Sequence, residues 1–141
     1  MFLLDYWRRR CQGDVLPTRQ DIDPIDFGPR LSNLFLVDVT ADPPRFTVRV
    51  AGSKICWMYR VPLTGRVLDD GVAEPALQAL YRRLRDVVHT RQPDLGVGNL
   101  GWCDRDYLDF EQLTVPLGDA DGKVAMVLGM AVMLDPVGRE H

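Results

Sequence analysis

The chain has 141 residues, of which 46% are apolar and 26% charged, and its net charge is -3. That length suits one domain around a single core, and the composition is that of a globular protein, which excludes a disordered or fibrous chain. The mild acidity offers no global attraction for nucleic acid, and the longest apolar runs, such as Val124 to Leu134, are too short to span a membrane.

The opening MFLLDYWRRRC passes from apolar to basic, the reverse of a secretory leader, and has no small-residue cleavage site. Leu3, Leu4 and Trp7 fall on one side of it and the arginine run on the other, which predicts a short amphipathic helix ended by Gly13. So short a helix is marginal alone in water and needs a surface to lie on. Thr18 and Asp21 then stand in capping-box order. Asp23-Pro24 supplies an N-cap followed by proline at the first helical position. A brief helix is expected over Pro24 to Phe27, broken by Gly28-Pro29.

Leu34 to Thr40 alternates, with Phe35, Val37 and Val39 on one face and Leu34, Leu36 and Asp38 on the other. Ala41 to Pro44 is the turn. Arg45 to Ala51 alternates again, with Phe46, Val48 and Val50 together. This is the period-2 pattern of an antiparallel hairpin. Gly52-Ser53 opens a helix over Lys54 to Arg60, and Leu63 to Val67 reads as a turn or short connection. The clearest helix is Glu74 to Thr90, with Leu77, Leu80, Tyr81, Leu84 and Val88 as its apolar stripe.

Three further strands fit Asp94 to Leu100, Tyr107 to Leu117 and Lys123 to Leu134, with turns at Gly101 to Asp106 and Gly118 to Gly122. The last is apolar on both sides: Val124, Met126, Leu128 and Met130 on one, Ala125, Val127, Gly129, Ala131 and Met133 on the other. A strand covered twice is central in its sheet, so something must lie on the second face. The N-terminal helix, from this chain or a partner, is the candidate. The expected fold is α+β, a five-stranded antiparallel sheet with helices over one face and the N-terminal helix on the other. Residues 1–33 form a helical extension, 34–135 the core and 136–141 an unstructured tail.

The pattern resembles the PAS domain, in particular small stand-alone bacterial PAS proteins. The matching residues are Tyr6-Trp7, Leu16-Pro17, Asp21-Ile22-Asp23-Pro24, Leu34 to Val39, Pro44-Arg45-Phe46, Val50 to Ile55 and Leu63 to Arg66. Phe110-Glu111, Leu113 to Leu117 and Met126 to Gly129 fit the closing strands, so the resemblance runs from about Leu3 to Leu134. It implies a sheet whose concave face and helices enclose a potential ligand cavity, and a sensory or regulatory role, often in a dimer that uses the N-terminal helix. It names no ligand, and the cofactor is left unknown, because fold alone does not give function.

Three kinds of PAS cofactor can be set against the residues, and of these a photoactive-yellow-type chromophore lacks the suitably placed cysteine and buried carboxylate partners it needs. A flavin adduct needs a reactive cysteine among polar neighbours, whereas Cys56 sits in Lys-Ile-Cys-Trp-Met and reads as a small apolar filler. Haem needs an axial ligand, and His89 reads instead as a complement to the C-terminus of the long helix. Cys11, Cys56 and Cys103 are odd in number and form no CxxC pair, which points to reduced thiols in the cytoplasm rather than a disulfide frame or zinc site. Arg8 to Arg10 read as a solvated face. Asp104, Asp106, Asp109 and Glu111 crowd one hairpin without a histidine nearby and read as an exposed polar edge.

The resulting expectation is a non-catalytic sensor or adaptor, a homodimer or the binder of a signalling protein, with a small apolar ligand held on the concave face. No nucleic acid, membrane or metal is expected. Ligand contacts are expected from Phe46, Val48, Ile55, Met58 and Tyr59. Leu77, Tyr81, Phe110, Met126 and Leu128 should complete the lining. Leu3, Leu4, Trp7, Val127 and Ala131 are expected at the dimer or partner interface. The alternatives are a chromophore- or haem-bound light or redox receptor, and a small thioesterase- or isomerase-like enzyme on a curved sheet.

Overall fold

A computed structural model of the chain describes residues 2–40, 43–101 and 104–141. Part of the turn expected at Ala41 to Pro44, and Cys103 in the turn expected at Gly101 to Asp106, lie outside the described residues. Helix α1 spans Phe2–Arg10, and two stretches of 3-10 helix follow at Arg19–Asp21 and Pro24–Asn33. Strands β1 (Leu34–Val39) and β2 (Phe46–Ala51) form the hairpin, followed by helix α2 (Ser53–Tyr59) and a two-residue strand β3, Val67–Leu68. Helix α3 (Pro75–Thr90) leads into β4 (Asp94–Leu100), β5 (Arg105–Gly118) and β6 (Val124–Leu134).

The strands form one sheet in the order β3-β2-β1-β6-β5-β4, with antiparallel pairing throughout. The sheet therefore has six strands where five were expected. The sixth is β3, which lies along Phe46 and Thr47. Two residues carry no alternation to read, and Gly65, at φ +87°, turns the chain back onto β2.

Both faces of the sheet are covered, each by its own apolar cluster. On one, Phe35, Val37, Phe46, Val48, Val127, Ala131 and Met133 pack under α2 and α3. On the other, Leu34, Leu36, Leu113, Val115, Leu117, Leu128 and Met130 pack under Leu3, Tyr6 and Trp7 of α1, together with Ile22 and Phe27 of the 3-10 stretches. Helix α1 thus lies on the sheet of its own chain. Trp7 Nε1 donates to the carbonyl of Pro116 at 2.8 Å, and the Tyr6 hydroxyl donates to Asp26 at 2.7 Å.

The two sets of β6 residues are placed the opposite way round from expectation. Met126 and Leu128, expected against the ligand, lie in the α1 cluster, whereas Val127 and Ala131, expected at the partner interface, lie under α2 and α3. A strand apolar on both sides defines two sets but does not say which faces which layer. Its neighbours decide, since Leu128 pairs with Leu36 and Val115, and Val127 with Val37.

Val50 also departs from its predicted face. Leu36 pairs with Val50 but Val37 with Val48, so Arg49 is a surplus residue in a β-bulge and the alternation slips by one. Val50 therefore stands on the α1 side with Leu36, and is 52% exposed. The tail differs too. Asp135 accepts from the N–H groups of Val137 and Arg139, Gly138 takes φ +83°, and the His141 N–H donates to Met133 O at 2.7 Å. The sequence Asp-Pro-Val-Gly is thus a side-chain-closed turn.

At the centre of the sheet, Phe35 lies across Gly129 of the neighbouring strand, and a Cβ built on Gly129 would meet the ring at 2.1 Å. The ring is 2% exposed and has nowhere to move. Gly129→Ala is expected to destabilise the protein by about 1–3 kcal/mol, the usual cost of overpacking. Urea unfolding checks this, and an unchanged midpoint would mean that the ring is free to leave the glycine.

Candidate functional site

On the helix-covered face, the layer between α3 and β5 is not completely filled. A cleft of about 250 Å³ opens there, lined by Tyr59, Pro75, Ala76, Ala79, Leu80, Arg83, Phe110 and Gln112. Its origin lies in small residues on both sides. Ala76 and Ala79 put only methyl groups beside the apolar stripe of α3. Across the sheet, β4 carries Gly96 and Gly98, where a Cβ would meet the Arg83 guanidinium at 2.3 Å and the Phe110 ring at 2.6 Å. The two glycines let these long side chains lie over the strand. Arg83 is held there by Asp94, with Nη1 3.0 Å from Oδ2.

The floor of the cleft is polar. Tyr59 closes α2, and its hydroxyl donates to Gln112 Oε1 at 3.1 Å. Gln112 is 2% exposed and Tyr59 9%. Burial pushes the Tyr59 phenol well above its ordinary range, and the Gln112 hydrogen bond and the Arg83 charge only partly offset this. The cleft thus joins an apolar wall to one buried hydrogen-bonding pair and one cation already engaged by Asp94. Such a lining suits a small, mostly apolar molecule with a single polar group.

Of the expected ligand contacts, Tyr59 and Phe110 line the cleft. Phe46, Val48, Ile55, Met58, Leu77 and Tyr81 belong to the packed cluster beside it. Phe46, Ile55 and Met58 have no exposed surface, and the Tyr81 hydroxyl is taken by the Pro44 carbonyl at 3.3 Å. Met126 and Leu128 are on the other side of the sheet. Sequence reasoning missed Gln112, Arg83, Ala76 and Ala79. Gln112 had a signal: it is a neutral polar residue directly before Leu113 in the strand, on the face opposite Leu113, Val115 and Leu117, where Ala131 is its partner.

The expected interface set is largely used within the chain. Leu3, Trp7, Val127 and Ala131 are buried, and Leu4 is half-buried against the α1 cluster. At the β4–β5 end of the sheet the exposed apolar residues are instead Leu95, Val97 and Tyr107. His89 is exposed at the end of α3, and Cys56 packs on α2 with its Sγ 4.0 Å from Ala51 O, so neither lines the cleft. Asp109 faces outward and accepts from Asn99 Nδ2 at 3.1 Å. Among the described residues no three His, Cys, Asp or Glu side chains converge on a metal position, and no helix is long and apolar enough to cross a membrane.

Tyr59 sets an alkaline limit. An unfolded tyrosine ionises near pH 10, whereas the folded phenol keeps its proton to higher pH. Above about pH 10 the unfolded state therefore binds fewer protons than the folded one, and stability falls as pH rises. Tyr59→Phe should remove that part of the alkaline loss while costing about 1–2 kcal/mol at neutral pH, where Gln112 Oε1 loses its donor. Denaturant midpoints of both proteins between neutral and alkaline pH test this. Parallel curves would mean that the phenol ionises as readily folded as unfolded.

The family model for the PAS domain matches residues 1–132. A light-oxygen-voltage domain studied with a flavin analogue is similar at 12% identity and a TM-score of 0.53, over 80% of this chain and 84% of that one. The PAS domain of BvgS from Bordetella pertussis aligns at 17% identity and a TM-score of 0.47, over 74% of each chain. A fungal light-oxygen-voltage photoreceptor domain aligns at 16% identity and a TM-score of 0.48, over 95% and 90%. No curated protein matches the sequence. Identities this low speak to the fold, and it is the match over nearly the whole sequence that assigns the family. A curled antiparallel sheet, helices over one face and that match together place this chain in the PAS domain family.

Proposed function

We propose that the protein is a non-catalytic PAS-type sensory module that reads the occupancy of the cleft between α3 and β5 and passes it to another protein. The observation that carries this reading is the buried Tyr59–Gln112 pair at the floor of the cleft. A hydrogen-bonded pair retained inside an apolar layer gives a ligand a polar group to exchange with, while the 250 Å³ of space restricts it to a small molecule. Its wall comes from α3 and its floor from the end of α2 and from β5, so filling it would tighten those elements together. A shift in the population of a stiffer state, rather than a new contact, is then the signal. The setting is the cytoplasm, and output through a partner is consistent with the sensory family.

Native mass spectrometry of the gently purified protein tests the ligand. A small bound molecule is expected, and Ala79→Trp, which covers the mouth from an exposed position of α3, should weaken its retention by about tenfold or more. Retention unchanged in that variant, or the absence of any bound small molecule, would remove the cleft from the account. A visible absorption band that follows the bound species would transfer the protein to the light or redox receptors.

The same module is proposed to pair with a second copy through the outer surface of β4 and β5, where Leu95, Val97 and Tyr107 are 59%, 66% and 54% exposed. Light scattering at micromolar concentration is expected to show a dimer that Val97→Glu converts to monomer. A monomer in the unaltered protein, or a dimer indifferent to the glutamate, would place the partner surface elsewhere.

A further inference from the structure

A second apolar recess lies on the opposite side of the sheet, between the 3-10 stretches and the β1–β2 hairpin, with a volume of about 360 Å³. Ile22, Phe27, Leu34, Leu36, Leu117 and Leu128 form its floor, and none is more than 9% exposed. Leu31 and Val50 stand at the rim, 44% and 52% exposed. Two irregularities put them there. The bulge at Arg49 turns Val50 out of the helix-covered layer, and Gly28, at φ +54°, redirects the second 3-10 stretch before Leu31.

One cation borders this recess. Arg19 is exposed, and its Nη1 donates to Ile22 O at 2.9 Å. Among the described residues it makes no ion pair with a carboxylate. The remaining guanidinium donors are therefore open to an anion, and the rest of the lining is apolar. A ligand with several polar groups would leave most of them unpaired against this floor, which is costly. A ligand that is hydrocarbon along its length and anionic at one end leaves none.

We propose that this recess binds a free aliphatic monocarboxylate, with the chain on the Phe27–Leu36–Leu128 floor and the carboxylate at Arg19. At roughly the 30 Å³ of a water for each non-hydrogen atom, the volume of about 360 Å³ accommodates about twelve of them, which is room for a chain of about eight to ten carbons with its two carboxylate oxygens. The site is separate from the Tyr59–Gln112 cleft, which lies across the sheet, and neither assignment requires the other.

Octanoate titrated into the full chain, followed by amide chemical shifts, is the test. Saturable shifts are expected at Leu31, Val50, Gly52 and Leu128, and not at Tyr59 or Phe110. Octan-1-ol should bind about five- to tenfold more weakly, since it forfeits the charge-assisted contact. Arg19→Gln, at an exposed position that leaves the fold undisturbed, should bring octanoate down to the affinity of the alcohol. Val50→Trp should block both probes, while Ala79→Trp should block neither. Equal binding of acid and alcohol, an unchanged octanoate affinity in Arg19→Gln, or shifts confined to the α3–β5 cleft would each overturn the proposal. So would a self-association abolished by Val50→Asp, which would give the recess to a second copy of the chain.

Discussion

The pairing of β1 with β6 at the middle of the sheet is the constraint on which the rest depends. Both strands are apolar on both sides over Leu34 to Val37 and Met126 to Met130, so neither face of their pair can be left to water. At roughly 25 cal/mol for each Å² of apolar surface removed from water, two covered faces are what a chain this short needs to make a core. The rest of the chain answers that demand. The segment between β2 and β4 supplies α2 and α3 for one side, and the segment before β1 supplies α1 and the 3-10 stretches for the other. Phe35 over Gly129 fixes how the two strands meet, since the ring can lie flat only where its neighbour has no side chain.

Most of the architecture was legible because it follows from periodicity. The β1–β2 hairpin, the long helix α3 and the three closing strands all have patterns of the right period and length, with Pro or Gly at the boundaries. The two-sided apolarity of β6 correctly implied a second covering layer. What was not legible was which side is which. Alternation is symmetric about the plane of a sheet, so the assignment of Met126 and Leu128 against Val127 and Ala131 rested on partner strands that a single sequence does not reveal. The bulge at Arg49 was hidden for a related reason. Val48-Arg49-Val50 reads as perfect alternation, and only the anchoring of the residues on either side forces it to slip.

The site was harder to read than the fold because it is built mainly from what is missing. Aromatic and methionine residues drew attention in the sequence, yet Phe46, Met58 and Tyr81 are used to fill the interior. The space comes from Ala76 and Ala79, and the long residues at its edge lie over Gly96 and Gly98. Small residues carry no chemical signature in a sequence. Their effect appears only when two elements that bear them are brought face to face. Gln112 is the exception, since a neutral polar residue at an interior position must find a partner, and Tyr59 is that partner.

The surplus residue at Arg49 also governs chain length. Gly52 must arrive where the backbone of Leu31 and Ser32 passes so close that a Cβ would sit 2.4 Å from the Ser32 carbonyl oxygen. The pairing of Val39 with Phe46 at one end and this tight crossing at the other are fixed points, and the bulge takes up the one-residue mismatch between them. A deletion at Arg49 would therefore not simply straighten the ribbon. It would carry Ser53 into a gap that admits only hydrogen at the α-carbon, so the ribbon would have to tear at one end or the other.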